Sequence, residues 1–435
     1  MQQSITVGAF IDARPMSRYQ MLVVFLCALI VFLDGFDTQA IGYVAPAIIK
    51  AFGVSRTALS PVFSASLVGL MLGALTGGPI ADRIGRRPVI LAGMVFFGLL
   101  SLLTAQAQSI EALLILRFVT GLGLGCVMPN AIALTSEFAP NRVRSTAVML
   151  MFCGFSLGAA LGGLAAAVLI SDFGWQSVFI TGGVLPMLLA VVAWRYLPES
   201  VRFLVLRDIK QMEVVAVMAK IDPSFVKGVD LRFAAGEHKS VKFPVKQLFV
   251  EKRGLLTLLL WLIFFMSLMD LFFLSNWLPT LITDSGIPAS SAVLIASMLQ
   301  VGGTLSTLVL GRIFDKMSPF RALAITYVFA AIFIVLVGVA GTSVSALALS
   351  IFGAGFCVVG GQIGANALAA KAYPTAIRAT GVGWSLGIGR IGSILGPLIG
   401  GLLLSLHWDM HQLFLISAVP VLIAAIAAWA IGSSS

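Results

Sequence analysis

Long apolar runs limit the possible folds of this chain more than any other feature of its sequence. Several stretches of roughly 20 apolar residues follow one another, and a helix needs about that many to cross the hydrocarbon of a bilayer. Only 11% of the residues are charged, whereas soluble domains contain about 25%. Transmembrane β-strands would appear as shorter, alternating segments. We therefore predict an all-α membrane protein with about twelve spans, near 20–42, 59–80, 88–107, 111–132, 146–170, 178–197, 255–281, 291–312, 321–341, 345–366, 379–404 and 413–432.

The basic residues predict how these spans are oriented. With the N-terminus in the cytoplasm, the 28 Lys and Arg lie in cytoplasmic loops or at cytoplasmic helix ends, except Lys50 and Arg56 outside and Arg117 and Arg390 within spans. This positive-inside bias places both termini in the cytoplasm. It also accounts for the net charge of +10 without a nucleic-acid partner. The four cysteines show no metal-ligand spacing, so we expect no metal and no cofactor.

An internal repeat divides the chain into two halves of six spans. At an offset of about 233 residues, Asp37 aligns with Asp270, and GPIADR aligns with GRIFDK, so that Asp82 matches Asp315. Both halves begin inside, which predicts two six-helix bundles related by a pseudo-two-fold axis along the membrane normal. Such bundles suit a transporter that rocks about a central site. The predicted domains are residues 1–197, a cytoplasmic linker 198–254, and residues 255–435.

Two aspartates inside the first span are hard to reconcile with a simple membrane anchor. Asp34 and Asp37, in VFLDGFDTQAIG (31–42), are three residues apart and share one helix face. Each costs about 2.5–3.5 kcal/mol at a helix centre on insertion scales, so partners or water must compensate them. Arg117 begins at a similar depth of span 4. We therefore predict an ion pair, direct or through water, between Arg117 and one of the aspartates.

Together these groups predict a proton-coupled transporter of an anion. A carboxyl group held away from water binds a proton more readily, and the planar fork of an arginine binds a carboxylate at two points. We assign proton coupling to Asp34, Asp37 and Arg117. The predicted substrate-binding residues are polar or aromatic side chains of the spans, namely Arg390, Asp270, Gln39, Asn276, Trp277, Gln362 and Trp384. The same charges could instead be structural ion pairs that set helix register, and single aromatic residues could simply pack.

The turn GGPIADRIGRRPVI (77–90) predicts a conformational gate on the cytoplasmic side. Gly78 would let helix backbones approach, and Gly85 would permit the turn. Asp82 would stabilise a helix N-terminus or pair with Arg144. Charge placed only for orientation explains the arginines, but not an aspartate at the same place in both halves. The predicted gate residues are Gly78, Asp82, Arg83, Gly85, Arg86, Arg87, Glu137, Arg144, Asp315 and Arg378.

Several of these motifs resemble the major facilitator superfamily over essentially the whole chain. GPIADRIGRR resembles its loop 2–3 signature, and LILRFVTGLGLG (114–125) resembles its span-4 motif. GFSLGAALGG in span 5 departs from the antiporter motif by lacking its proline, whereas GSILGPLIGG in span 11 has it. Within the superfamily, DGFDT, LGIGRIGSILGP (386–397) and SEFAPNRVRSTA (136–147) resemble the aromatic acid:proton symporters.

That resemblance implies a bacterial inner-membrane permease that takes up a benzoate-like or hydroxybenzoate-like acid with protons. It also implies that transport depends on Asp34, Asp37, Asp82, Arg117, Glu137 and Arg390. Alternatives are a carrier of another small organic anion, such as a sugar acid or dicarboxylate, an efflux antiporter, or a non-transporting sensor. Because no nucleotide loop, metal spacing or nucleophile–His–Asp set is present, we expect no enzymatic activity. We expect a monomer in the lipid bilayer.

Overall fold

The computed structural model describes residues 4–206, 211–222, 232–234, 248–250, 253–316, 318–373 and 378–434, with some side chains within these ranges left out. The described chain is almost entirely helical. Its α-helices are α1 Val7–Asp12, α2 Arg18–Phe52, α3 Ser60–Ile84, α4 Arg86–Thr104, α5 Ile110–Phe138, α6 Arg144–Phe173, α7 Gln176–Tyr196, α8 Val201–Leu206, α9 Gln211–Ile221, α10 Gly254–Asp284, α11 Ala289–Lys316, α12 Pro319–Val339, α13 Val344–Ala372, α14 Arg378–Ser405 and α15 Met410–Ser434.

Twelve of the described helices are long and apolar enough to cross a membrane, which confirms the predicted number of spans. Several extend beyond the predicted apolar runs, because local capping rather than hydropathy ends them. At the start of α2, the Ser17 side chain accepts a hydrogen bond from the backbone of Gln20, whose own side chain accepts one from the backbone of Ser17. The helix ends at Gly53, which has a φ of 63°.

The same helix pairings recur in the two halves. In the first half, α2 packs on α6, α3 on α5, and α4 on α7. In the second half, the equivalent pairs are α10 with α14, α11 with α13, and α12 with α15. This recurrence confirms the fold of two six-helix bundles that the repeat predicted. The division into domains at 197 and 254 stays a prediction.

The halves meet through α2 with α10, α3 with α14, and α6 with α11. At Gly42, α2 lies directly against α10, because an added Cβ would lie 2.7 Å from the Ser275 carbonyl oxygen. Hydroxyls of α3 bind α14 nearby: Ser60 donates to the Pro397 carbonyl at 2.8 Å and Ser64 to the Ile394 carbonyl at 2.9 Å. These contacts lie near the helix ends opposite the two termini, so the two halves touch on that side.

The N-terminal segment and the linker are joined by an element that sequence reasoning missed. Strand β1 (Ser4–Thr6) pairs in parallel with β2 (Arg232–Ala234). Nearby, Arg14 forms an ion pair with Asp222 at 2.5 Å, just after α9. The apolar α1 packs into the first bundle. Neither strand shows an alternating pattern of apolar and polar residues, since three residues are too few to reveal one.

Candidate functional site

Arg117 binds Asp37 inside the first bundle. The guanidinium donates to Asp37 Oδ2 at 2.8 Å, to Oδ1 at 3.3 Å and to the Asp37 carbonyl oxygen at 3.0 Å. Ser101 of α4 donates to Oδ1 at 2.9 Å. Both charged side chains are at most 1% exposed. The structure therefore pairs Arg117 with the second aspartate of the motif, and Asp37 is bound by donors from α4 and α5.

Close packing seals this ion pair. The Arg117 guanidinium lies 5.5 Å from the centre of the Phe179 ring, over its face. A Cβ added to Gly182 would lie 3.5 Å from Asp37 Oδ1 and 3.3 Å from the Ser101 hydroxyl. A larger side chain at Gly182 would therefore press on the pair. The absence of a side chain there lets α7 close over the carboxylate.

Asp34 is held much more loosely than Asp37, although it is just as buried. Its Oδ1 accepts a hydrogen bond from Thr38 at 3.1 Å, while Oδ2 has no hydrogen-bond partner among the described residues. Asp34 is also close enough to Arg390 to interact with it electrostatically. Arg390 belongs to α14 of the other half, so this interaction joins the two halves. The structure thus brings together two predicted site residues that are 356 positions apart in the numbering.

The predicted amide residues of the substrate site lie on three different helices. Asn276 donates to the carbonyl of Phe272 on its own helix at 2.7 Å, and Gln39 is buried in α2. Gln362 accepts a hydrogen bond from Ser267 at 2.7 Å, which ties α13 to α10. All three amides are buried, and their role in substrate binding stays a prediction.

The two predicted tryptophans have separate environments. Trp277 is fully buried, and its indole N–H donates to the Pro397 carbonyl at 3.1 Å. Its ring packs edge-on against the ring of Phe63, with 5.2 Å between the ring centres. It therefore closes the contact between the halves opposite the termini. Trp384 is 43% exposed and stacks on Trp261 at 5.7 Å between ring centres. The two rings thus do not face one common pocket.

Asp270 lies on the side of α10 that faces away from the first half, and its role in substrate binding stays a prediction. Leu268 and Phe272 of α10 pack against Leu67 of the first half. Asp270 is two residues from each, and therefore points to the opposite side of the helix. It is 1% exposed, and neither carboxyl oxygen has a hydrogen-bond partner in the described part of the chain.

The predicted gate is built around an acid that sequence reasoning missed. Glu199, just after α7, accepts hydrogen bonds from the backbone N–H groups of Arg86 at 2.9 Å and Arg87 at 3.3 Å, and so caps α4. Gly85, with a φ of 107°, is the whole turn between α3 and α4. Glu137 interacts with Arg86 at 3.7 Å and accepts a hydrogen bond from Ser200. The signal in the sequence was an acidic residue just after span 6, on the same cytoplasmic side as the arginine-rich turn.

Other gate predictions meet different outcomes. Gly78 was expected to allow close helix packing, but an added Cβ there would meet nothing within 4 Å. Gly77 has this role, because its Cβ would lie 2.7 Å from the Cα of Cys126.

Arg144 lines a small cavity with Glu137, beneath α1. Arg83 is exposed and Arg87 donates to the Trp194 carbonyl. The side chains of Asp82, Asp315 and Arg378 lie outside the described residues.

Comparisons with known proteins agree with this architecture. Residues 27–360 and 260–434 match the Major Facilitator Superfamily. The chain is 44% identical to the 4-hydroxybenzoate transporter PcaK of Pseudomonas putida, over 98% of this chain and 95% of that protein. It is 43% identical to the gallate transporter of Pseudomonas putida, over 98% and 95%. The structure resembles a partially occluded inward-open form of the xylose transporter XylE from E. coli, with a TM-score of 0.74, 16% identity and coverage of 95% and 98%.

Proposed function

Because the chain belongs to the major facilitator superfamily, we propose that it is a symporter that imports a small aromatic carboxylate together with protons by alternating access. The observation that carries this proposal is that Asp34 is buried, has an oxygen without a hydrogen-bond partner among the described residues, and lies close enough to Arg390 of the other half to interact with it. This arrangement sets a carboxyl group of one half against a guanidinium of the other. The names of relatives at 44% and 43% identity, which are transporters of 4-hydroxybenzoate and gallate, support the aromatic class of substrate.

The substrate's carboxylate and Asp34 compete for Arg390 in this mechanism. When Asp34 takes a proton from outside, it loses its charge and no longer holds the guanidinium. Arg390 can then bind the carboxylate of the acid at two points. Proton and substrate therefore raise each other's affinity, since such coupling is reciprocal. After the halves rock, release of the acid and of the proton to the cytoplasm restores the Asp34–Arg390 interaction.

We assign the proton to Asp34 rather than to Asp37. Asp37 accepts hydrogen bonds from Arg117 and Ser101, so both of its carboxyl oxygens already have donors. Asp34 has one hydroxyl donor, from Thr38, and an oxygen left open among the described residues. The two aspartates of the motif would thus have different roles. Asp37 and Arg117 would hold α2 and α5 in register while Asp34 changes its charge.

The first experiment compares uptake of radiolabelled 4-hydroxybenzoate, benzoate and a non-aromatic acid in cells, with and without a protonophore. We expect the wild type to accumulate an aromatic acid in a protonophore-sensitive way. In proteoliposomes, Asp34→Asn should lose proton-driven accumulation but keep exchange of labelled for unlabelled acid. Arg390→Gln should lose both.

The matched control is Glu111→Gln, which removes an exposed carboxyl from the first turn of α5 and should leave both activities intact. Membrane content of each variant is measured alongside. Accumulation of only the non-aromatic acid would overturn the aromatic assignment. Uptake that ignores the protonophore and Asp34→Asn would overturn proton coupling, and export down an inward proton gradient would indicate an antiporter.

We also propose the location and state of the protein. The positive-inside bias favours both termini in the cytoplasm, and the relatives from Pseudomonas putida support a bacterial inner membrane. We propose a monomer, because one chain contains both bundles and the central space between them. Reporter fusions to the two ends would test the orientation, and the mass of the detergent-solubilised protein would test the monomer.

A further inference from the structure

The second bundle contains a buried acidic group that the proposed mechanism does not use. Asp270 of α10 is 1% exposed, and no described residue donates to either of its oxygens. Tyr327 of α12 is close enough to interact with both Asp270 and Ser267, and no described residue forms a hydrogen bond of normal geometry with its buried hydroxyl. Ser267, one turn before Asp270, donates to Gln362, whose amide nitrogen is also unpaired.

The internal repeat makes this arrangement informative. Asp270 occupies the position in the second half that Asp37 has in the first. Asp37 is paired with Arg117. Both ends of α13 lie 234 residues after those of α5, so the residue of α13 that corresponds to Arg117 is Ile351. The second bundle has therefore kept the aspartate without the arginine that balances it.

The charged and titratable groups of the surrounding helices do not replace that arginine. On α14, Arg390 interacts with Asp34, and on α2, Asp37 is bound to Arg117. On α15, His411 lies at the end of the helix and is within hydrogen-bond distance of the Gly338 carbonyl. On α12, Arg321 in the first turn donates to the Gly432 carbonyl at 3.2 Å and lies over the Trp429 ring. The other described groups on α12 and α13 are Tyr327 and the thiol of Cys357. Several side chains of α11, Lys371 of α13 and Arg378 of α14 lie outside the described residues.

A carboxylate without a donor or a cation is very unfavourable in an apolar interior. Either a metal cation or a proton could neutralise it. The amide N–H groups of Gln362 are donors and cannot ligate a metal ion, and its oxygen already accepts from Ser267. A proton needs no such ligand shell.

We propose that Asp270 is a second proton-binding group, loaded from external water and emptied into the cytoplasm once per transport cycle. This inference rests on the proposed symport of an aromatic monoanion. One proton at Asp34 with one monoanion is electroneutral, whereas a second proton at Asp270 carries one net positive charge inward. The protein would thereby add the membrane potential to its driving force.

The test measures how accumulation of 4-hydroxybenzoate in proteoliposomes depends on a potassium diffusion potential, at equal pH on both sides. Moving one charge through 100 mV changes the equilibrium ratio about fifty-fold. We expect the wild type to approach this change, and Asp270→Asn to transport the acid with no dependence on the potential. Asp270→Glu, which keeps a carboxyl group, should retain the dependence.

Exchange of labelled for unlabelled acid shows that Asp270→Asn is folded and binds substrate. An electroneutral wild type, or an Asp270→Asn variant with unchanged dependence on the potential, would overturn the inference. A further measurement replaces sodium by choline on both sides of the membrane. Loss of the dependence on the potential without sodium would assign the transported charge to sodium and overturn the inference. Absence of any proton-driven uptake by the wild type would instead refute the proposed function.

Discussion

Removing the positive charge of Arg117 should lower the free energy of unfolding strongly, and more than the other single substitutions that we propose in the first bundle. In Arg117→Met, Asp37 loses two hydrogen bonds to its carboxylate and one to its carbonyl oxygen. Both side chains are at most 1% exposed, so water does not screen the charge that remains. Ser101 is left as the described donor to that carboxylate.

The magnitude follows from this burial. Removing one partner of a buried ion pair costs about 3–5 kcal/mol, because the other charge stays buried and uncompensated. Replacing both partners with neutral groups is often close to neutral. The double variant Asp37→Asn/Arg117→Met should therefore regain most of the stability that Arg117→Met loses. Arg117→Lys should fall between, since an ammonium keeps the charge but not the two-point geometry.

The assay is thermal unfolding of the purified variants in one detergent at fixed pH and salt. Glu111→Gln serves as the control, because it removes an exposed carboxyl from the same helix as Arg117. The expected order of stability places Arg117→Met lowest and the double variant near the wild type. A double variant as unstable as Arg117→Met, or an Arg117→Met variant that melts with the wild type, would refute the reasoning.

Two further predictions concern glycines. Gly85→Ala should lower expression and thermal stability strongly, because the φ of Gly85 is 107° and the new Cβ would lie 2.2 Å from a carboxyl oxygen of Glu199. The matched control is Gly78→Ala, whose new Cβ would meet nothing within 4 Å, and this variant should be tolerated. Equal tolerance of both, measured by fluorescence-detected gel filtration, would contradict the assignment of the turn to Gly85. Gly42→Val should hold the halves apart at Ser275, where even a Cβ would lie 2.7 Å from the carbonyl oxygen. We expect slower substrate exchange and faster thiol labelling of a cysteine introduced opposite the termini, and unchanged labelling would argue against a closing role for this contact.

Much of the fold could be predicted because it depends on local patterns. Apolar runs near 20 residues define spanning helices whatever surrounds them, and the described chain contains twelve such helices. Helix ends were less accurate, because caps such as Ser17 and Gly53 extend α2 beyond its apolar run. The two-bundle architecture followed from the repeat, since two similar six-span segments with the same orientation pack alike.

The candidate site was predictable in kind but not in detail. Charges in the membrane must have partners, so the sequence by itself indicated that Asp34, Asp37 and Arg117 belong together. The depth of each residue along its helix can be counted from the sequence. The direction in which each helix faces its neighbours cannot, because it depends on how all the helices pack.

Only the tertiary structure decided which charges meet. It joined Arg117 to Asp37, set Asp34 against Arg390 of the other half, and left Asp270 without a described partner. It also placed Glu199 over the N-terminus of α4, from more than a hundred positions further along the chain. The physical reason is common to all these cases: the local sequence determines that a helix forms and crosses the membrane, whereas packing between distant segments determines its rotation, and with it the partner of every buried charge.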